Sequence, residues 1–337
     1  KVYHTFFHFR STEKPLIFSG SAISLQNCLN FNIKNDITIL ENLNNQIAYL
    51  QNTKSQEKNM PNIELIEKML PVAPLKIAAM ESCSELGQKV NDYIVSFRQN
   101  TINEVTESPI YVNYRSNNYL VDCACPRFGS GEAKGILKET IRGTDLFIMT
   151  DVCNYSLTYT VNGHLNHMSP DDHYQDLKRI ISAATGKAHR INVIMPFLYE
   201  SRQHKRSKRE SLDCALALQE LISMGVSSIL TFDAHDPRVQ NAIPLYGFDS
   251  FNPPYQFMKA LFRAVPDFKA DKEHLMIISP DEGAMHRAVY FSNVLGVDMG
   301  MFYKRRDYST VVNGKNPIVA HEFLGDDVTG KDVIIVD

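Results

Sequence analysis

From Leu75 onward the chain alternates short apolar runs with segments whose apolar residues recur at helical spacing. Strands are expected at Leu75 to Met80, Leu146 to Met149, Ile191 to Met195, Ser228 to Phe232, Leu275 to Ile278, Met299 to Tyr303 and Val333 to Val336. Between them the period predicts helices over Cys83 to Phe97, Asp172 to Ala184, Ala215 to Met224, Tyr255 to Ala264 and Gly283 to Val294. In the first of these, Leu86, Val90, Tyr93 and Ile94 share one face. Further strands are expected at Ile110 to Tyr114 and Asn118 to Val121, and a turn at Arg142-Gly143-Thr144-Asp145. Strands that alternate with helices pair in parallel and are covered on both faces, so the chain is α/β. Pro253-Pro254 is the best candidate for a domain boundary.

Composition removes several classes of function. The 337 residues, 44 % hydrophobic and 22 % charged, are enough for two soluble domains. A net charge of −3 argues against a nucleic-acid partner, because such proteins usually carry a basic domain. No apolar run approaches a membrane span and no signal peptide is evident, so a cytoplasmic setting without membrane partners is expected. The six cysteines (Cys28, Cys83, Cys123, Cys125, Cys153, Cys214) lack metal-type spacing and read as reduced thiols.

Polar clusters follow four of the expected strands. The first, Ser201-Arg202-Gln203-His204-Lys205-Arg206-Ser207-Lys208-Arg209-Glu210, concentrates more positive charge than any other stretch. The others are Asp233-Ala234-His235-Asp236, Ser279-Pro280-Asp281-Glu282-Gly283 and Tyr303-Lys304-Arg305-Arg306-Asp307. Taken singly, a charged loop is usually a solvated face and a lone histidine usually structural. Together they set cations, carboxylates and an imidazole at the carboxyl ends of successive strands, where α/β sheets bind ligands. That set suits a phosphate-rich small molecule with Mg²⁺: oxygen and imidazole donors for the metal, Lys and Arg for phosphoryl oxygens.

The motifs also resemble those of the ribose-phosphate pyrophosphokinase (phosphoribosyl pyrophosphate synthetase) family. Met195-Pro196-Phe197-Leu198-Tyr199-Glu200-Ser201-Arg202-Gln203 is similar to that family's P-Y-x-x-Y-A-R-Q-D segment, Asp233-Ala234-His235 to its D-L-H, and Ser279 to Gly283 to its S-P-D-x-G. Met301 to Arg306 resembles its K-x-R strand end, and Gly330 to Asp337 the strand that opens its phosphoribosyl-binding loop. Arg127-Phe128-Gly129-Ser130-Gly131-Glu132, with Ile141 to Asp145, resembles its R-F-x-D/N-G/Q-E and V-R-G-x-D. The resemblance runs from about residue 75 to 337.

The resemblance implies two doubly wound, phosphoribosyltransferase-like domains with parallel sheets, related by a pseudo-twofold. Residues 60–250 would be the ATP-side domain and 251–337 the ribose 5-phosphate side, incomplete at its carboxyl end. It implies that ribose 5-phosphate takes a pyrophosphoryl group from ATP with Mg²⁺, in a homo-oligomer built on dimers. Carried over by residue, Phe128, Ser130 and Glu132 would line an adenine pocket completed by a neighbouring subunit. Arg202 and Gln203 would hold ATP, and His235 and Asp281 would lie at the metal. Arg206, Lys208, Lys304 and Arg306 would be catalytic, and Asp337 would meet ribose hydroxyls.

The chain departs from the family at several points. His204 stands where the family has Asp. Arg206 and Lys208 reverse the family's Lys-x-Arg, although a one-residue gap would pair Lys205 with its lysine. Asn154 to Asp172 is longer than the usual connection; its His164 and His167, with the adjacent His173, are read as surface histidines rather than a metal site. Residues 1–59 are Asn- and Gln-rich without clear period and are read as an added segment or translated upstream sequence. The chain stops at Asp337, before the family's glycine- and threonine-rich loop, so as it stands it is expected to be inactive. A non-catalytic regulatory homologue of the same fold is the main rival reading.

Overall fold

The computed structural model describes residues 7–9, 71–101, 114–265, 267–306 and 318–337. They fall into two compact units that part between Asn252 and Pro253. The strand expected at Ile110 to Tyr114 lies almost wholly outside the described residues.

The larger unit is built on β1 (Leu75–Ala79), β2 (Asp145–Met149), β3 (Arg190–Met195), β4 (Ser228–Phe232) and β5 (Gly247–Phe251), all parallel and side by side in that order. Alternate side chains go to opposite faces. Ala78, Leu146, Ile148, Val193 and Met195 pack with α2 (Pro170–Ala184) and α3 (Asp213–Ser223), through Leu177, Ile180, Ile181, Leu218 and Leu221. Ile77, Phe147, Met149 and Ile194 pack on the other face with Leu86, Val90 and Ile94 of α1 (Ser84–Thr101). Tyr93, expected on that face, is 60 % exposed and stacks on Phe97 instead.

Asn118 to Val121 is not a strand. Only Leu120 bridges, in parallel, to Ile77, with Ile77 N donating to Tyr119 O and Val121 N to Ile77 O, each at 2.8 Å. Asn91 Oδ1 accepts from Tyr119 N at 2.8 Å, so a side chain replaces a ladder partner there. The segment lies on the outer side of β1, so the chain passes back across β1 before reaching β2. Strand order therefore reverses at β1, which opens a crevice at the carboxyl ends of β1 and β2. Ser82 and Thr150 span it with Oγ···Oγ1 at 3.2 Å, and Asn154 Nδ2 donates to Ser82 O at 3.0 Å.

The smaller unit has β6 (Leu275–Ser279), β7 (Asp298–Arg306), β8 (Ile318–Leu324) and β9 (Asp332–Ile335). Strand β6 is buried throughout, with β7 and β9 parallel on its two sides. The edges are antiparallel: β8 on β7, and the segment Phe7–Phe9 on β9. Leu275, Ile277, Ile334 and Val336 form a core with Met258 of α4 (Pro254–Ala264) and Ala288 and Phe291 of α5 (Met285–Leu295). Here the order reverses between β6 and β9, so this unit's crevice lies where Ser279 to Gly283 and Asp337 emerge.

Candidate active site

Three loops of the larger unit carry the expected site residues. The first, Arg127 to Ala133, is a narrow ribbon closed by an antiparallel bridge between those two residues. Phe128 N donates to Glu132 O at 2.7 Å and Gly131 N to Phe128 O at 2.9 Å. Its base is tied to α2: Arg127 Nη2 lies 2.8 Å from Asp176 Oδ2, both side chains nearly buried, and Arg179 holds the other oxygen. Burial pushes the Asp176 carboxyl up, against the pull of the two guanidiniums. Gly135 passes so close to α2 that a Cβ there would lie 2.5 Å from Arg179 O. Phe128, Ser130 and Glu132 stay exposed, and Ser130 Oγ donates to Glu132 Oε2 at 2.9 Å.

The second loop follows β3. Glu200, at a φ of 54°, turns the chain out of the sheet, and burial raises its carboxyl. Beyond it Arg202, Lys205, Arg206, Lys208 and Arg209 are all exposed. Few contacts hold this stretch: Gln203 Nε2 to Ser211 O at 2.6 Å, and the Glu210 carboxylate accepting from Ser207 N, Ser207 Oγ and Lys208 N. The third loop follows β4, where Asp233 takes a φ of 44°. Non-glycine residues held in the left-handed region are uncommon and cluster at functional sites.

The second and third loops are joined. Buried Ser201 Oγ accepts from His235 N at 2.9 Å. The His204 and His235 rings meet edge-on with centroids 5.1 Å apart, and His204 Nε2 lies 3.6 Å from Asp236 Oδ2. Arg238 grips both Asp236 oxygens and, with burial opposing, holds that carboxyl well below the usual range. One end of the sheet thus gathers an exposed cation array, two imidazoles and a carboxylate already neutralised by arginine.

Comparison with known proteins gives this geometry a context. Residues 75–225 match the family model described as the N-terminal domain of ribose phosphate pyrophosphokinase. Among curated proteins, the ribose-phosphate pyrophosphokinase of Chlorobaculum tepidum is 27 % identical over 268 residues, covering 78 % of this chain and 67 % of its own. Ribose-phosphate pyrophosphokinase B of Dictyostelium discoideum is 29 % identical over 235 residues, covering 67 % of this chain and 64 % of its own. The chain is similar, over most of its length, to ribose-phosphate pyrophosphokinases. It spans about two thirds or less of the length of these relatives. The crystal structure of phosphoribosylpyrophosphate synthetase from Mycobacterium smegmatis shares the fold, with a TM-score of 0.50 and 19 % identity over 73 % of this chain and 67 % of that one.

The remaining residues expected at the site lie in the smaller unit. Asp281 Oδ1 accepts from Gly283 N at 2.9 Å and Ala284 N at 3.2 Å, fixing the turn into α5. Asp337 follows β9, next to β6, where Val336 N donates to Ile278 O at 2.9 Å. Lys304 and Arg306 sit at the carboxyl end of β7, and their side chains lie outside the described residues. The five described cysteines carry free thiols. Burial raises all five, Cys123 and Cys153 to about 11 and Cys83, Cys125 and Cys214 to about 12, which makes them poor nucleophiles.

Sequence reasoning missed two features next to the site. Asn154 to Asp172 contains a hairpin, Thr158–Val161 with His164–His167, turned by Asn162 and Gly163 at φ of 47° and 84°. Asn-Gly between alternating residues is the strongest short-range hairpin signal, and it was there to be read. His164 and His167 are exposed on this hairpin. His173, grouped with them from the sequence, is instead buried on α2, with Nε2 2.7 Å from Asn154 O. The second missed feature is the Asp236–Arg238 pair, which takes up a carboxylate one residue from His235.

Proposed function

We propose that the intact protein is a ribose-phosphate diphosphokinase. The 1-hydroxyl oxygen of ribose 5-phosphate attacks the β-phosphorus of ATP and the bond from that phosphorus to the α–β bridging oxygen breaks. AMP leaves and the hydroxyl proton is released, giving phosphoribosyl pyrophosphate. The observation that carries this reading is the Ser201–His235 bond, which sets the cation array beside the imidazole-bearing strand end in a chain similar to these enzymes.

Each residue then has a task. Phe128, Ser130 and Glu132 take the adenine, and Arg202 and Gln203 hold the triphosphate. Arg206, Lys208, Lys304 and Arg306 neutralise charge on the transferring phosphoryl oxygens, which is most of what such a reaction needs from protein. Asp337, in the smaller unit's crevice, takes the ribose hydroxyls. Among the described residues no three His, Cys, Asp or Glu groups converge on a metal, and Asp236 is occupied by Arg238. Mg²⁺ fits so sparse a donor set, because it keeps several waters and takes phosphate oxygens with only one or two protein ligands. His235 and Asp281 are the candidate metal residues of their respective units, and Mg²⁺, when bound, neutralises phosphate charge.

The two units would be phosphoribosyltransferase-like halves, residues 60–250 and 251–337; the reversal of strand order in each sheet supports that topology for each unit by itself. The protein would act in the cytoplasm as a homo-oligomer; no described helix is long and apolar enough to cross a membrane. The deciding experiment uses the full-length protein and measures AMP release from ATP. Release that requires both ribose 5-phosphate and Mg²⁺ is expected. ATP binding without any such release would sink the reading.

A further inference from the structure

The hairpin has little reason to be ordered by itself. Two-stranded hairpins are marginal in water, and His164 to His167, Thr158 and Thr160 are all exposed. Only Tyr159 and Val161 turn inward, and both meet the Arg127–Ala133 loop. A Cβ at Gly131 would lie 3.0 Å from Val161 Cγ2 and 3.8 Å from Tyr159 Cε2. The Arg127 guanidinium sits 4.7 Å from the Tyr159 ring centroid, and Asn162 N donates to Gly129 O at 3.3 Å. Helix α2 frames both pieces. Asp172, which closes the capping box with Ser169, accepts from Tyr159 Oη at 3.2 Å, and one turn on Asp176 holds Arg127.

The contacts are divided by position along the loop. Gly131 faces the hairpin and Gly129 meets it through its carbonyl alone, while the exposed Phe128, Ser130 and Glu132 alternate with them. The hairpin therefore braces the loop from behind and leaves its front open. Gly131 also needs to be glycine for its φ of 92°.

We propose that this hairpin is a positioning element for nucleotide recognition, with Tyr159 and Val161 as positioning residues that hold the Phe128-Ser130-Glu132 loop in its binding shape. The inference rests on the reading that this loop takes the adenine. Ordering a loop before the ligand arrives spares binding the cost of ordering it, so losing the brace weakens nucleotide binding and leaves sugar phosphate binding alone.

The test uses the full-length protein with N-methylanthraniloyl-ATP as the fluorescent probe. Tyr159→Leu/Val161→Ala should weaken probe binding roughly tenfold and raise KM for ATP equally, about what one immobilised loop costs. KM for ribose 5-phosphate and kcat should hold, and outward-facing Thr160→Ala should match the parent. If the double variant melts early, excising residues 158–167 across a Gly-Ser link gives the same readout without the strained contacts. Phe128→Ala separates the two ideas. If it leaves probe binding intact, the loop is not the adenine site and the parent reading fails. If it weakens binding while the double variant and the excision do not, the loop stands and the brace is overturned.

Discussion

The loop at Arg127–Ala133 and the loop at Arg202–Arg209 sit in one unit and both offer polar groups to solvent, yet they are held in opposite ways. The first spends its only arginine on structure: Arg127 is nearly buried between Asp176 and the Tyr159 ring. The second leaves all five cations exposed and is restrained mainly by Gln203 and Glu210. An immobile loop suits recognition of a fixed shape. A loosely held set of cations suits a charge distribution that exists only during transfer. The two loops should therefore fail differently when altered, the first in stability and the second in rate.

The largest expected effect is at Asp176. Replacing it by alanine strands Arg127 and Arg179 without their carboxylate, and breaking a buried pair in this way costs about 3–5 kcal/mol. Urea unfolding should show this loss. Replacing Asp176 and Arg127 together, by leucine and methionine, should cost less than Asp176→Ala alone, because no buried charge is then left without its partner. A double variant worse than the single one would mean that the ion pair is not what anchors this loop.

In the second loop the signature reverses. Arg206→Ala and Lys208→Ala should each leave unfolding within about 0.5 kcal/mol of the parent, since both side chains are exposed. In the full-length protein each should lower kcat by roughly 10²-fold or more while ATP affinity changes little, the pattern of a group that acts only on the transition state. Steady-state kinetics alongside equilibrium ATP binding decides it. Equal losses in kcat and affinity would make this loop a second recognition surface and erase the contrast.

Gly131→Ala probes where the first loop meets its brace. Alanine at a φ of 92°, with its Cβ 3.0 Å from Val161, should cost about 1–2 kcal/mol in thermal or urea unfolding. Gly143→Ala, at a φ of 71° but with open space around it, carries the conformational cost alone. The difference between the two variants isolates the hairpin contact; no difference would mean that Val161 yields freely.

How far these loops could be read in advance depended on the range of the interactions that make them. The sheets were legible because strand burial repeats locally: Leu146 to Met149 and Leu275 to Ile278 announce themselves within five residues. The cation array was legible for the same reason, being contiguous. Strand β5 was not, because Gly247-Phe248-Asp249-Ser250-Phe251 carries no apolar run and is made a strand by β4 alongside it. The brace was out of reach as well. Nothing near Arg127 says that its carboxylate is Asp176, 49 positions away, or that Tyr159 lies beneath it. Asn118 to Val121 failed in the other direction: its local pattern suits a strand, but Asn91 claims the Tyr119 amide first.

The smallest expected effect concerns the carboxylate behind the imidazole pair. Asp236 sits below its ordinary value of 3.8 chiefly because Arg238 grips it, with Arg238 N and the nearby His204 adding to the pull. A carboxylate lowered on folding contributes stability that is complete above about pH 4 and drains away as pH falls through its lowered value. Arg238→Ala removes most of that lowering. Because Arg238 is exposed, the loss at neutral pH should be small. Urea midpoints measured from pH 7 downward should show the parent above the variant at neutral pH and the two curves converging below about pH 4. Curves that stay parallel into acid would mean that Arg238 stabilises by packing, leaving Asp236 free to serve the site beside His235.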